Sequence, residues 1–76
     1  MSEYREQLTA RIEKLLPLSD QPHADPADIY RSVDIGSPHT TRLVLRELEL
    51  AGRAESVLRL NSRHRSQMRL YRRAGA

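Results

Sequence analysis

The chain has 76 residues, no cysteine and a hydrophobic content of 38%, enough for one small core and a single domain over 1–76. Without cysteine there is no disulfide, no thiolate metal site and no thiol nucleophile, and no apolar run nears the ~20 residues of a membrane span. The formal charge of +3 is unevenly spread: residues 1–52 hold six basic groups against nine acidic ones, a balance of −3, whereas residues 53–76 hold seven arginines against Glu55 alone, a balance of +6. Of the 13 basic residues only Lys14 is a lysine. The planar fork of arginine suits phosphates and guanine edges, so an anionic partner, most often nucleic acid, is expected. A solubilising arginine bias is the plain alternative. The polar opening "MSEYREQLTAR" does not read as a signal peptide, and a soluble cytoplasmic protein is the expectation.

In "EYREQLTARIEKLL", Tyr4, Leu8, Ile12, Leu15 and Leu16 recur at helical spacing, which predicts a first helix over about 3–16. Ser2 suits its N-cap, and Pro17 stops it by disfavouring helical geometry in the residue before it. "PLSDQPHAD" reads as a loop. Asp25 then caps a second helix over about 26–33, with Pro26 at its first position and Asp28 in its first turn. In the "DIGS" turn Gly36 supplies backbone freedom and Ile35 plugs the core. Ser37 and Pro38 open a third helix over about 38–51, which Gly52 closes. After it the period drops to two. Ala54, Ser56, Leu58 and Leu60 alternate with Glu55, Val57 and Arg59, and Met68 and Leu70 alternate with Gln67, Arg69 and Tyr71. These are two strands of a hairpin over about 53–72, with Leu58, Leu60, Met68 and Leu70 expected to cover the helices. Its loop, "NSRHRS", carries Arg63, His64 and Arg65.

The predicted fold is thus α+β, three helices followed by a C-terminal hairpin. That order, centred on "PADIYRSVDIGSPHTTRLVLRELELAGRAES", resembles a winged helix-turn-helix domain of the bacterial transcription-regulator type, over roughly residues 4–72. Leu45, Leu48 and Gly52 fall where that family has the "LxxLxxxG" end of its recognition helix, and Tyr71 in "MRLYRR" where it often has a tyrosine. Among short members, small fimbrial-switch regulators are similar in length and layout. Gly36 is an extra residue in the turn, and "RA" at 53–54 replaces a common apolar pair, which predicts a short or irregular first strand.

On a helical wheel Leu45, Leu48, Val44 and Ala51 fall on one side with Thr41 among them, the expected buried stripe. His39, Arg42, Leu43, Arg46 and Leu50 gather on the opposite side. The resemblance implies that bases are read from the first turns of this outer face, which makes His39, Thr40, Arg42, Leu43 and Arg46 the base-facing candidates. Arg42 and Arg46 suit guanine O6 and N7, and Leu43 a thymine methyl. Ser37, Arg63, His64, Arg65 and Arg69 are the candidates for the backbone or the minor groove, where narrow grooves attract arginine. Plain readings stand beside these: Arg42 and Arg46 paired with Glu49 or another helix acid, and the hairpin tip as a solvated loop. Leu50 lies too far along the helix to reach bases, and with Leu43 it offers a protein interface instead.

His23, His39 and His64 lack metal-ligand spacing, and no phosphate loop or nucleophile motif occurs. The expectation is therefore no metal, no cofactor and no enzymatic activity. The resemblance implies a DNA-binding protein of bacterial or phage type, expected to be a small transcriptional regulator with helix 3 in the major groove and the wing on the minor groove or backbone. A module this small needs a second copy, as a homodimer, or repeated sites for specificity. Helix 1 or Leu50 is the candidate dimer contact. The alternatives are a protein-interaction module on the same scaffold, such as a phage or accessory factor occupying a host protein, and an architectural or recombination factor that bends DNA.

Overall fold

The computed structural model describes residues 3–61 and 66–75 and gives α1 (Glu3–Leu15), α2 (Pro26–Val33), α3 (Pro38–Leu50), β1 (Ala54–Asn61) and β2 (Ser66–Arg73). This is the α+β order expected, three helices and then an antiparallel hairpin, a winged-helix-like layout. Local chemistry sets the boundaries. The Asp25 carboxylate accepts from the amide of Ala27 at 2.9 Å and Pro26 occupies the first turn of α2. Ser37 does the same for α3, its hydroxyl accepting from the Thr40 amide at 3.1 Å. α3 ends at Leu50, one residue before the predicted end. The amides of Gly52 and Arg53 fold back onto Glu49 and Leu48 at 3.0 and 2.9 Å, with Gly52 at φ 77°. That is the left-handed termination glycine favours. Ala51, predicted to be buried, is the cap residue and is exposed.

The turn between α2 and α3 takes two left-handed residues. Asp34 has φ 59° and its amide donates to the Tyr30 carbonyl at 3.1 Å. Gly36 has φ 78°, and a β-carbon there would come within 3.1 Å of the Tyr4 hydroxyl. The glycine is thus required both for its backbone angle and for the space beneath α1.

Leu8, Ile12 and Leu16 from α1 and its end meet Ile29 and Val33 from α2 and Val44, Leu45 and Leu48 from α3 in one core, with Ile35 packed against it. Tyr4 and Leu15, placed by periodicity on the same stripe, are 49% and 40% exposed; the inward stripe of α1 is narrower than its apolar pattern. Ala54 and Tyr71 extend the core into the hairpin, so β1 starts without irregularity despite the polar Arg53.

The hairpin register corrects one expectation. Ser56 lies opposite Tyr71, Val57 opposite Leu70, Leu58 opposite Arg69 and Leu60 opposite Gln67. Cross-strand partners share a face, so Leu58 and Leu60 lie on the face of Arg69 and Tyr71, while Leu70 and Met68 lie with Val57 on the other. The face of Ala54, Ser56 and Tyr71 is the one turned to the helices, so Leu58 and Leu60 share its phase but, further along the hairpin, do not cover the helices and are 55% and 66% exposed; Leu70, on the other face, is buried and Met68 half-buried. A further strand-like contact lies in the predicted loop. Ala24 and Tyr71 exchange backbone hydrogen bonds of 2.7 and 2.8 Å, and the Arg73 amide donates to the Pro17 carbonyl at 2.8 Å. The segment before α2 thereby ties down the inner edge of β2, and β1 is the outer strand.

Candidate functional site

α3 has two unlike faces. Thr41, Val44, Leu45 and Leu48 are buried. His39, Arg42, Leu43, Arg46 and Leu50 are exposed and line a cleft of about 660 Å³ between α3 and β2. β2 contributes Gln67, Met68, Arg69 and Tyr71 to the opposite wall, and Asp25 and Pro26 reach it from the start of α2. Of the site residues read from the sequence, His39, Arg42, Leu43, Arg46, Leu50 and Arg69 are thus brought together. Thr40 and Ser37 are not among the lining residues: both are half-buried, and their hydroxyls lie 3.0 Å apart in the cap of α3. Arg63, His64 and Arg65 lie outside the described residues, as does Ser2.

The acids of α3 and β1 are already engaged. Glu47 takes Arg5 of α1 at 2.8 Å. Glu55 takes its cross-strand partner Arg72. Glu49, the acid nearest to Arg42 and Arg46 on the wheel, accepts from the Ser56 hydroxyl, while Arg69 donates to the same hydroxyl at 2.8 Å and stands 4.0 Å from the carboxylate. Among the described residues neither Arg42 nor Arg46 has an ion pair or a side-chain hydrogen bond. The surface pairing of these two arginines with Glu49 does not occur. Glu49 instead joins the end of α3 to the hairpin, holding the two walls of the cleft in a fixed relation.

Tyr71 closes the floor between those walls. It is 6% exposed. Burial raises its phenol above the ordinary value of 10.0, the Glu49 carboxylate adds to the rise, and Arg69 and Arg46 oppose it. The phenol is therefore neutral at physiological pH. The site is basic on both walls, apolar at Leu43 and Leu50, and neutral between.

Sequence reasoning missed Glu49, Ser56, Gln67 and Met68 as parts of this site. Glu49 had a signal, since it falls beside Arg42 on the helical wheel. Ser56 and Gln67 had none, because only the strand register turns them toward α3. Among the described residues no group of His, Asp and Glu is placed to hold a metal, and no helix is long and apolar enough to cross a membrane. Compared with protein-family models, with curated proteins and with solved structures, the chain matches none.

Proposed function

We propose that the chain is a winged helix-turn-helix protein that binds double-stranded DNA in a sequence-dependent manner and acts as a small transcriptional regulator. The observation that carries this reading is the pair Arg42 and Arg46, exposed on the outer face of α3 without a carboxylate partner among the described residues, across a cleft from Arg69. Guanidinium groups left without counter-ions in a shaped cleft are available to bind guanine edges or phosphates. In this reading α3 enters the major groove, with His39, Arg42, Leu43 and Arg46 toward the bases. The hairpin, whose loop adds Arg63, His64 and Arg65, lies on the backbone or the minor groove. The test is selection from a random duplex library, with the winners measured at several salt concentrations. A consensus sequence, and an affinity that falls steeply with salt, support it. No enrichment at low salt overturns it.

A second reading is favoured by one specific observation. Leu43 and Leu50 are 42% and 79% exposed in the same cleft, which suits an apolar anchor from another protein better than a polyanion. Leu43→Asp decides between them. Under the DNA reading it abolishes duplex binding by repulsion; under the protein reading duplex binding is unaffected by the change.

A further inference from the structure

The outer edge of β1 is open, and its sequence is self-complementary. Tyr71 spends its backbone amide and carbonyl on Ala24, so they point away from β1. Its cross-strand partner Ser56 must then point its own amide and carbonyl away from β2. Alternation along the strand turns the backbone groups of Ala54, Ser56, Leu58 and Leu60 outward. Among the described residues none of these outward groups is taken by another strand or loop. The strand is eight residues long and holds no proline, and Val57, Leu58 and Leu60 are exposed. Native proteins ordinarily blunt such an edge, because a row of unpaired backbone groups flanked by apolar side chains recruits another strand.

We infer that β1 pairs with β1 of a second copy, antiparallel, about a two-fold axis through Val57. The charge pattern selects the partner and the register. With Val57 opposite Val57 of the second copy, Glu55 stands opposite Arg59 and Arg59 opposite Glu55, two symmetric ion pairs. The outward-pointing residues Ser56 and Leu58 then exchange backbone hydrogen bonds, as do Ala54 and Leu60. On one face of the resulting four-stranded sheet the central row reads Leu70, Val57, Val57, Leu70. The rows on either side read Arg72, Glu55, Arg59, Met68. Each glutamate is flanked by two arginines, since Arg72 already holds Glu55 within the protomer. Sliding the register by two residues in either direction loses both Glu55–Arg59 pairs. The paired segment, Ala54 to Leu60, lies wholly within β1 and requires no rearrangement of the protomer. The assembly depends on no property of DNA, and so stands or falls separately from the function proposed above.

Because the chain has no cysteine, single thiols report the pairing directly. Val57→Cys, Leu58→Cys and Arg59→Cys are oxidised side by side in the full chain. Non-hydrogen-bonded partners have Cα atoms about 4.5 Å apart, within the disulfide range. Val57→Cys is expected to form covalent dimers about tenfold faster than either neighbour. Sedimentation equilibrium of the unmodified chain is expected to show a monomer–dimer equilibrium. Arg59→Glu, which puts acid opposite acid on both sides of the axis and leaves the β1–β2 ladder intact, weakens that equilibrium about tenfold, while its melting temperature matches wild type at dilutions where both chains are monomeric. Leu58→Pro removes one outward amide, a position where edge strands tolerate proline, and yields a folded monomer by circular dichroism and sedimentation. Three results overturn the proposal: a wild-type chain that stays monomeric at all concentrations, a Val57→Cys variant that cross-links no faster than Leu58→Cys, or an Arg59→Glu variant that dimerises like wild type.

Discussion

The two faces of α3 carry the same residue types for opposite purposes. The inner face holds Val44, Leu45 and Leu48 against α1 and α2; the outer face holds Leu43 and Leu50 beside Arg42 and Arg46 and lines the cleft opposite β2. Leucine by itself marks neither core nor surface. What separates the two stripes is angle around the axis, and angle is fixed by caps at both ends: Ser37 sets where the helix begins and Gly52 where it stops. The inner stripe therefore determines orientation, and the outer stripe is free to be chosen for a partner.

The largest test of that division is Leu48→Ala. It should cost about 2–5 kcal/mol in urea unfolding, the usual penalty for a buried leucine; a loss below about 0.5 kcal/mol would mean the stripe does not seal the core. Arg42→Ala and Arg46→Ala should leave stability within about 0.5 kcal/mol of wild type. Each should weaken binding to the selected duplex by about 1–3 kcal/mol. A smaller effect is expected at Thr41, whose buried hydroxyl has no hydrogen-bond partner among the described residues. Thr41→Val should raise stability by about 1 kcal/mol, and a fall in melting temperature would show that the hydroxyl is satisfied in solution.

The floor between the faces gives a pH prediction. The folded chain keeps the Tyr71 proton to higher pH than the unfolded chain, whose phenol titrates near 10.0. Above that pH the unfolded state loses a proton that the folded state retains, so stability declines as pH rises. Tyr71→Phe removes this part of the alkaline decline, and equal slopes for the two chains would show that the phenol is not held neutral. Leu50→Asp is the smallest expected change in stability, under about 0.5 kcal/mol. A larger loss would place Leu50 with the core after all.

What the sequence made legible was chemistry acting over a few residues. Asp25 with Pro26, Ser37 with Pro38, and Gly52 each announce a helix end, because the cap and the amide it satisfies are three positions apart or fewer. The outer face of α3 followed from those ends. The hairpin was legible as two alternating strands, but which residues of β2 share a face with Leu58 and Leu60 was not, because alternation within a strand says nothing about its phase against the other. That phase is set by the pairing of Ser56 with Tyr71, itself fixed by Ala24 far away in the chain. The engagement of Glu49 was hidden for the same reason: its partners sit beyond the glycine, on strands whose register only the folded molecule supplies.

The bond pair between Ala24 and Tyr71 also governs the order in which this molecule can assemble. The helix caps form within single turns, and α2 and α3 lie next to each other in the chain, so the helical layer can close early. The sheet cannot, because the backbone partners of Tyr71 and Arg73 belong to a loop that precedes two of the three helices. Contacts between positions so distant in sequence form late and slow the final step. A chain lacking the hairpin would carry a nearly complete helical layer whose apolar edge lacks Ala54 and Tyr71. Chains truncated before Tyr71 should be cut by protease in the segment 17–25, and the full chain should resist.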